Sequence, residues 1–220
     1  MTDQTADIAW RDTPLGDVPV STRFDDPYYS LQGGLAETRH VFLGGNGLPA
    51  RFTDGFHIAE LGFGTGLNFL TTLQAFRDAA IPGRLHFTSF EAFPLAPPEL
   101  ARALTPFAPD LPIHLLPAVA SVTGPDFILD VIPGDAAETL PAWSGKADAW
   151  FLDGFSPAKN PGLWSPAILA QVAAHTAPGG TAATYSAAGH VRASLAAAGF
   201  TVTRQPGFGR KRHMTTAQRD

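Results

Sequence analysis

The chain contains no cysteine among its 220 residues. That excludes disulfides, zinc–thiolate sites, iron–sulfur clusters and any cysteine nucleophile. Long hydrophobic runs are also missing, and no segment approaches the length of a membrane span. Near the N-terminus, Asp3 and Asp7 stand where a signal peptide would have an apolar core; the expectation is a protein of the cytoplasm with no membrane partner. The seven histidines, at 40, 57, 86, 114, 175, 190 and 213, show no metal-ligand spacing, so no metal is expected.

Hydrophobic residues make up 45% and charged residues 16% of the chain, as in ordinary globular proteins. The length fits one domain with a substantial core. The 22 glycines and 20 prolines are dispersed and read as turns between elements. The net charge of −5 is uneven: positions 1–203 hold 10 basic and 19 acidic residues, while Arg204, Arg210, Lys211, Arg212 and Arg219 crowd the last seventeen. A basic C-terminal strand pair on an acidic body suits a polyanion, and equally suits a sheet edge that repels other edges.

The most informative segment is Glu60-Leu61-Gly62-Phe63-Gly64-Thr65-Gly66-Leu67-Asn68-Phe69-Leu70. An acid precedes a G-x-G-x-G turn, and a helix with apolar spacing opens directly after it. Glycines let the backbone come close to a ligand, and a helix N-terminus adds oriented N–H groups. The dinucleotide fingerprint wants glycine at position 67, which is Leu. The acid-first form suits a cofactor with a cationic centre and no pyrophosphate, as in S-adenosylmethionine. Such turns also occur merely because the turn is tight.

Around this segment, strands and helices alternate from Phe56 onward, which predicts an α/β domain with a mainly parallel sheet. Strands are predicted at His57–Leu61, Leu85–Phe90, Phe127–Ile132, Ala149–Leu152, Thr181–Tyr185, Phe200–Arg204 and Arg212–Thr216. Helices are predicted after Gly66 and at Pro97–Leu104, Pro166–His175 and His190–Ala198. Residues 1–55 read as an N-terminal extension to a methyltransferase-like domain at 56–220. Alternation at Thr38, His40 and Phe42 before Gly44-Gly45-Asn46-Gly47 predicts a β-hairpin there.

Ligands of open α/β sheets bind at the carboxyl ends of the strands. Four predicted strands deliver an acid there: Glu60, Glu91, Asp135 and Asp153. Glu60 is expected to face the methionine end of the cofactor, Glu91 to grip ribose hydroxyls, and Asp135 to accept from the adenine amino group. With Gly62, Gly64, Thr65, Gly66 and Asn68 they form the expected cofactor-binding set. Asp153 points at the reacting methyl region. The loop that follows, Gly154-Phe155-Ser156-Pro157-Ala158, has Ala where a nucleophile elbow needs its second glycine, which disfavours a hydrolase.

With these residues in view, the chain resembles the tRNA 5-methylaminomethyl-2-thiouridine methyltransferase family. The likeness runs from Pro19 to about Met214. It is carried by Phe24–Ser30, Glu37–Leu43, the glycine turn, the loop from Phe151 to Trp164, and Gly207-Phe208-Gly209-Arg210-Lys211-Arg212. The resemblance implies a Rossmann-like, seven-stranded class I fold with an antiparallel last strand, and S-adenosylmethionine as cofactor. It implies N-methylation of the aminomethyl group of 5-aminomethyl-2-thiouridine at wobble position 34, with the tRNA anticodon stem-loop as partner. Asp153 would lie beside the acceptor amine. Tyr28, Tyr29, Phe155, Lys159, Asn160, Arg210, Lys211 and Arg212 would lie near the nucleoside. The family's bifunctional members continue into a flavin-dependent oxidase domain and this chain ends before it, so a separate enzyme is expected to supply the aminomethyl precursor.

The chemistry expected is in-line attack of the amine nitrogen on the sulfonium methyl. An unperturbed Asp, with a pKa near 3.9, makes a weak base, so Asp153 is expected to orient the nitrogen and stabilise its developing charge. Transfer to nitrogen needs no cysteine adduct. Two other readings stay open: a methyltransferase of small-molecule amines, and a non-catalytic S-adenosylmethionine sensor.

Overall fold

The computed structural model describes residues 5–14 and 16–220; Met1–Gln4 and Leu15, part of the expected extension, lie outside the described residues. The chain opens with β1 (Ile8–Arg11), β2 (Val18–Ser21) and β3 (Asp26–Pro27), a small antiparallel sheet. α1 (Gly34–Thr38) follows and continues through helical turns to Asn46. An N-terminal hairpin therefore exists, but between residues 8 and 21. The segment 38–46 expected to start a hairpin is helical instead. Over 34–46, buried Gly34, Glu37, Thr38, Val41 and Phe42 follow the i, i+3, i+4, i+7 spacing of one helix face, and Leu43 and Asn46 are buried beside them. The polar alternation around His40 masked that period.

Next come β4 (His57–Leu61), α2 (Leu67–Asp78), β5 (Leu85–Glu91) and α3 (Pro97–Leu104). They are followed by β6 (Val122–Thr123), β7 (Phe127–Pro133), α4 (Ala136–Ala142), β8 (Ala147–Leu152), α5 (Pro166–Ala174) and β9 (Thr176–Thr184). α6 (Gly189–Ala197), β10 (Phe200–Pro206) and β11 (His213–Arg219) close the chain. β9 begins earlier than the predicted Thr181, directly after α5, and holds Pro178-Gly179-Gly180 within it; a register irregularity opposite Ala147–Ala149 lets the strand carry these residues.

One sheet in the order β10-β11-β9-β8-β4-β5-β7-β6 forms the frame. β7, β5, β4, β8 and β9 run parallel, whereas β11 is antiparallel to both β9 and β10. The seven-stranded pattern with an antiparallel last strand is therefore present, with β6 added as a two-residue edge. Both faces are covered, as parallel sheets require. Ile58, Phe87 and Phe151 face Phe69, Leu70, Leu73 and Phe76 of α2; Ala59, Leu61, Trp150 and Leu152 face α4, α5 and α6 through Leu140, Leu169, Val172 and Leu195. Period-2 alternation along each strand thus feeds two cores, and the polar residues collect where the strands end.

Candidate active site

The carboxyl ends of the central strands open into a cavity of about 530 Å³. Its floor depends on Gly62, which has a φ of 87°. A Cβ there would lie 2.7 Å from the Asp153 carbonyl oxygen, so only glycine lets the β4–α2 turn rest against the end of β8. Gly66, also left-handed at φ 71°, begins α2 without a side-chain cap. It does not line the cavity, and a Cβ on it would collide with Leu116 and Phe63. Its role is close packing.

Asn68, the second residue of α2, organises the polar floor. Its Nδ2 donates to Glu60 Oε1 at 2.8 Å and to Asp153 Oδ2 at 2.6 Å, while its Oδ1 accepts from Thr38 Oγ1 at 2.8 Å. Ser89 Oγ donates to Glu60 Oε2 at 2.7 Å. Glu60 is wholly buried and is not among the residues lining the cavity. The expectation that it faces the cofactor is thereby corrected: its side chain lies on the α2 side of β4 and is taken up by Asn68 and Ser89. It reaches the cavity only through Asn68.

Glu91 does line the cavity. Its Oε2 accepts from the Gly64 N–H at 2.9 Å and its Oε1 from the Phe93 N–H at 2.7 Å, which fixes the carboxyl and leaves a further lone pair on each oxygen. Asp135, exposed on the same wall, caps α4 by accepting from the Ala137 N–H at 2.8 Å. Burial raises the carboxyls of Glu60, Glu91 and Asp153 alike. Glu60 is held well above the usual range by burial and then by the neighbouring Asp153. Asp153 is pushed up to about 7, chiefly by burial, with Glu37 adding to the rise and Asn68 and Lys211 opposing it. An Asp with that value exchanges its proton near neutrality, and the weak-base expectation from sequence gives way.

At the mouth, Lys211 Nζ bonds Glu37 Oε1 at 2.8 Å and sits 4.0 Å from the centre of the Tyr185 ring. The Tyr185 hydroxyl donates to the Gly154 carbonyl at 2.6 Å, bracing the loop behind Asp153. Tyr28 lies against Gly64 and meets Phe155 edge-on at 5.1 Å, and Phe155 stacks on Phe24 at 4.8 Å. Tyr29 lines the wall with its ring, but its hydroxyl is tied to the Asp17 and Ala103 carbonyls. Thr65, Asn160 and Arg210 also line the cavity.

Lys159 and Arg212 do not. Lys159 is held by the Asp25 carbonyl oxygen, by Asp25 Oδ2 at 3.1 Å and by Asp26 Oδ1 at 3.8 Å, which pins its loop to the N-terminal extension. Arg212 projects from the β10–β11 turn into solvent. Glu37, Thr38 and Tyr185 are site residues that sequence reasoning missed. The hairpin expectation had put the first two on the wrong element, and Tyr185 was legible only as a strand end facing the carboxyl edge.

Glycine-lined backbone beside a fixed carboxyl, with three buried acids and no cation deeper than Lys211, fits a ligand bearing ribose hydroxyls and a positive centre. S-adenosylmethionine is such a ligand. Among the described residues no group of side chains could hold a metal ion. Fold and cavity together define an S-adenosylmethionine-dependent methyltransferase of Rossmann-like architecture.

Comparison with known proteins agrees. A family model described as S-adenosyl-L-methionine-dependent methyltransferase matches residues 99–220, and the chain belongs to that family. It is 46% identical over 226 residues to the tRNA 5-methylaminomethyl-2-thiouridine biosynthesis bifunctional protein MnmC of Caulobacter vibrioides, covering 96% of this chain and 38% of that protein. The protein of the same name from Chromobacterium violaceum is 44% identical, with 98% and 34% covered. The chain thus spans little more than a third of the length of the curated relatives it matches. Among solved structures, MnmC2 from Aquifex aeolicus superposes with a TM-score of 0.79 at 28% identity, over 97% of this chain and 71% of that one.

Proposed function

We propose that this chain methylates the aminomethyl nitrogen of 5-aminomethyl-2-thiouridine at position 34 of tRNA, giving 5-methylaminomethyl-2-thiouridine. The observation that carries the reading is Asp153: a carboxyl with a pKa of about 7, anchored by Asn68 at the end of β8, in a cavity whose mouth is lined by Arg210 and Lys211. The names of the relatives supply the substrate.

Bound S-adenosylmethionine supplies an electrophilic methyl on a cationic sulfur. The chain's own residues do the rest. An alkylamine is largely protonated at neutral pH and is then no nucleophile. Ionised Asp153 takes that proton through its free oxygen, while Asn68 holds the other oxygen in place. The neutral nitrogen displaces S-adenosylhomocysteine as it takes the methyl, and Asp153, by then protonated, returns its proton to solvent so that its carboxylate faces the new ammonium. Holding nitrogen and methyl in line is worth roughly 7–11 kcal/mol in favourable cases. Phe155 and Tyr28 offer ring faces and edges for the uracil, since single-stranded bases stack on aromatic side chains.

No helix of the described residues is long and apolar enough to cross a membrane, and the reaction belongs in the cytoplasm with its tRNA. The precursor must come from an enzyme that installs or unmasks the aminomethyl group. Incubation with methyl-labelled S-adenosylmethionine and tRNA bearing 5-aminomethyl-2-thiouridine, followed by nucleoside analysis, tests the reading. Label is expected in 5-methylaminomethyl-2-thiouridine. Label in free amines but never in tRNA overturns the assignment in favour of a small-molecule amine methyltransferase.

A further inference from the structure

Nineteen of the twenty acidic residues lie in positions 1–153; Asp220 is the other, so residues 154–219 carry none. The first 153 residues hold 8 basic against 19 acidic side chains, a net −11. Residues 154–220 hold 7 against 1, a net +6. The fold keeps these halves apart in space. Residues 154–219 build α5, β9, α6, β10 and β11, and the three strands form one end of the sheet.

Within that end, the antiparallel register sets Val202 opposite Ala217, Arg204 opposite Thr215 and Pro206 opposite His213. Directly paired residues share a face, and Val202 and Ala217 belong to the core under α6. Arg204 and His213 therefore emerge on the α6 side, where Arg192 of α6 joins them. Loss of solvent lowers the His213 pKa first, and the positive charges of Arg204, Arg212 and Arg192 lower it further. Among the described residues none of the three arginines forms an ion pair, and Arg192 Nε has no hydrogen-bond partner. Lys159 and Lys211, by contrast, are engaged with Asp25 and Glu37.

Topology also connects this face to the cavity. β10 runs in the same direction as the parallel strands, because both it and β9 are antiparallel to β11. The turn 207–212 therefore falls at the carboxyl edge, where Arg210 and Lys211 line the mouth. A basic edge strand that merely repels other edges would need charge along β10 alone; here the charge extends onto α6 and up to the site.

We infer that the face formed by Arg192, Arg204, Arg212 and His213 docks the phosphate backbone of the RNA strand whose target nucleoside enters the adjoining cavity. The inference rests on the tRNA reading above. It also gives the approach direction: the RNA lies across the acid-free end of the sheet, away from the acidic half, which repels it. Unpaired arginines meet phosphates bidentately, and each phosphate neutralised releases counterions, so binding must weaken with salt.

The test measures tRNA binding by filter retention across a salt series, alongside methyl transfer, for the intact chain. Arg204→Glu/Arg212→Glu is expected to weaken binding tenfold or more and to reduce the magnitude of the log K against log salt slope by roughly 1.4–1.8, at about 0.7–0.9 per phosphate contact. The milder Arg192→Gln/Arg204→Gln is expected to do the same in lesser degree, and covers the case in which charge reversal impairs folding. Arg84→Glu, in the acidic half, is expected to leave the slope unchanged. Folded variants with an unaltered slope overturn the inference. If the parent chain binds tRNA with the expected slopes but never methylates it, the face stands and the proposed reaction falls.

Discussion

Asp153 shows how much one residue's chemistry depends on its surroundings. Its place after β8 was readable from the sequence, because turns and strand ends favour acids and the flanking loop was distinctive. Its proton affinity was not, since that depends on water excluded by Tyr185 and the α1 segment, both distant in sequence. Asp153→Ala is expected to slow single-turnover methylation by at least about 10²-fold, the usual scale for a lost general base. Cofactor affinity, measured by titration calorimetry, is expected to change little; a nearly intact single-turnover rate would refute the role. In the parent enzyme only the ionised form accepts the proton. The rate is therefore expected to rise with pH through about 7 and then level, and stopped-time assays at saturating substrate from pH 5.5 to 8.5 read this directly. Glu60 teaches the converse. Its position before the glycines made it look like a cofactor ligand, whereas Asn68 and Ser89 claim both of its oxygens.

Local sequence gave β4, β5 and α3 nearly to the residue, because each is bounded by Gly or Pro and has a clear period; the two C-terminal strands were found but run two to three residues further than predicted. The segment 38–52 failed for a physical reason: short polar–apolar alternation fits a strand until the burial of Thr38, Val41 and Phe42 against α2 and β8 selects the helix. That helix brings Thr38 to Asn68 and Glu37 to Lys211, so the misread element is the one that completes the site. The β4–α2 turn is a second element with little tolerance. Gly62→Ala is expected to weaken cofactor binding and to destabilise the fold by about 1–3 kcal/mol, because the left-handed φ and the Asp153 carbonyl both oppose a side chain. Thermal unfolding with and without S-adenosylmethionine checks both effects. The same change at Gly189, which is not left-handed and has open space around its would-be Cβ, is the control.

For the whole molecule, three buried carboxyls with raised pKa values tie stability to pH. A carboxyl whose folded pKa exceeds its unfolded value binds more protons when folded, so stability falls as pH rises through that interval. Stability is therefore expected to decline from about pH 4 to about pH 7, between the unfolded and folded values of Asp153, with Glu60 and Glu91 adding to the decline. The lowered His57 and His213 work the other way only below about 6.5, where unfolded histidine gains its proton. Glu60→Gln keeps an acceptor for Asn68 without the charge, and is expected to flatten the decline in denaturant midpoints over that range. A saturating cationic cofactor is expected to restore stability by roughly 2.7 kcal/mol at a hundred times its Kd.

By itself the sequence determined the α/β class, the strand order of acids at the carboxyl edge, the glycine turn and the acceptor loop, since all of these are written in period, punctuation and local residue type. The tertiary structure alone decided which acids line the cavity, which are spent on Asn68, and which way burial and neighbours shift the proton affinity of the buried ones. Those properties depend on burial and on partners as much as 174 residues apart, as with Lys211 and Glu37. No local pattern contains them.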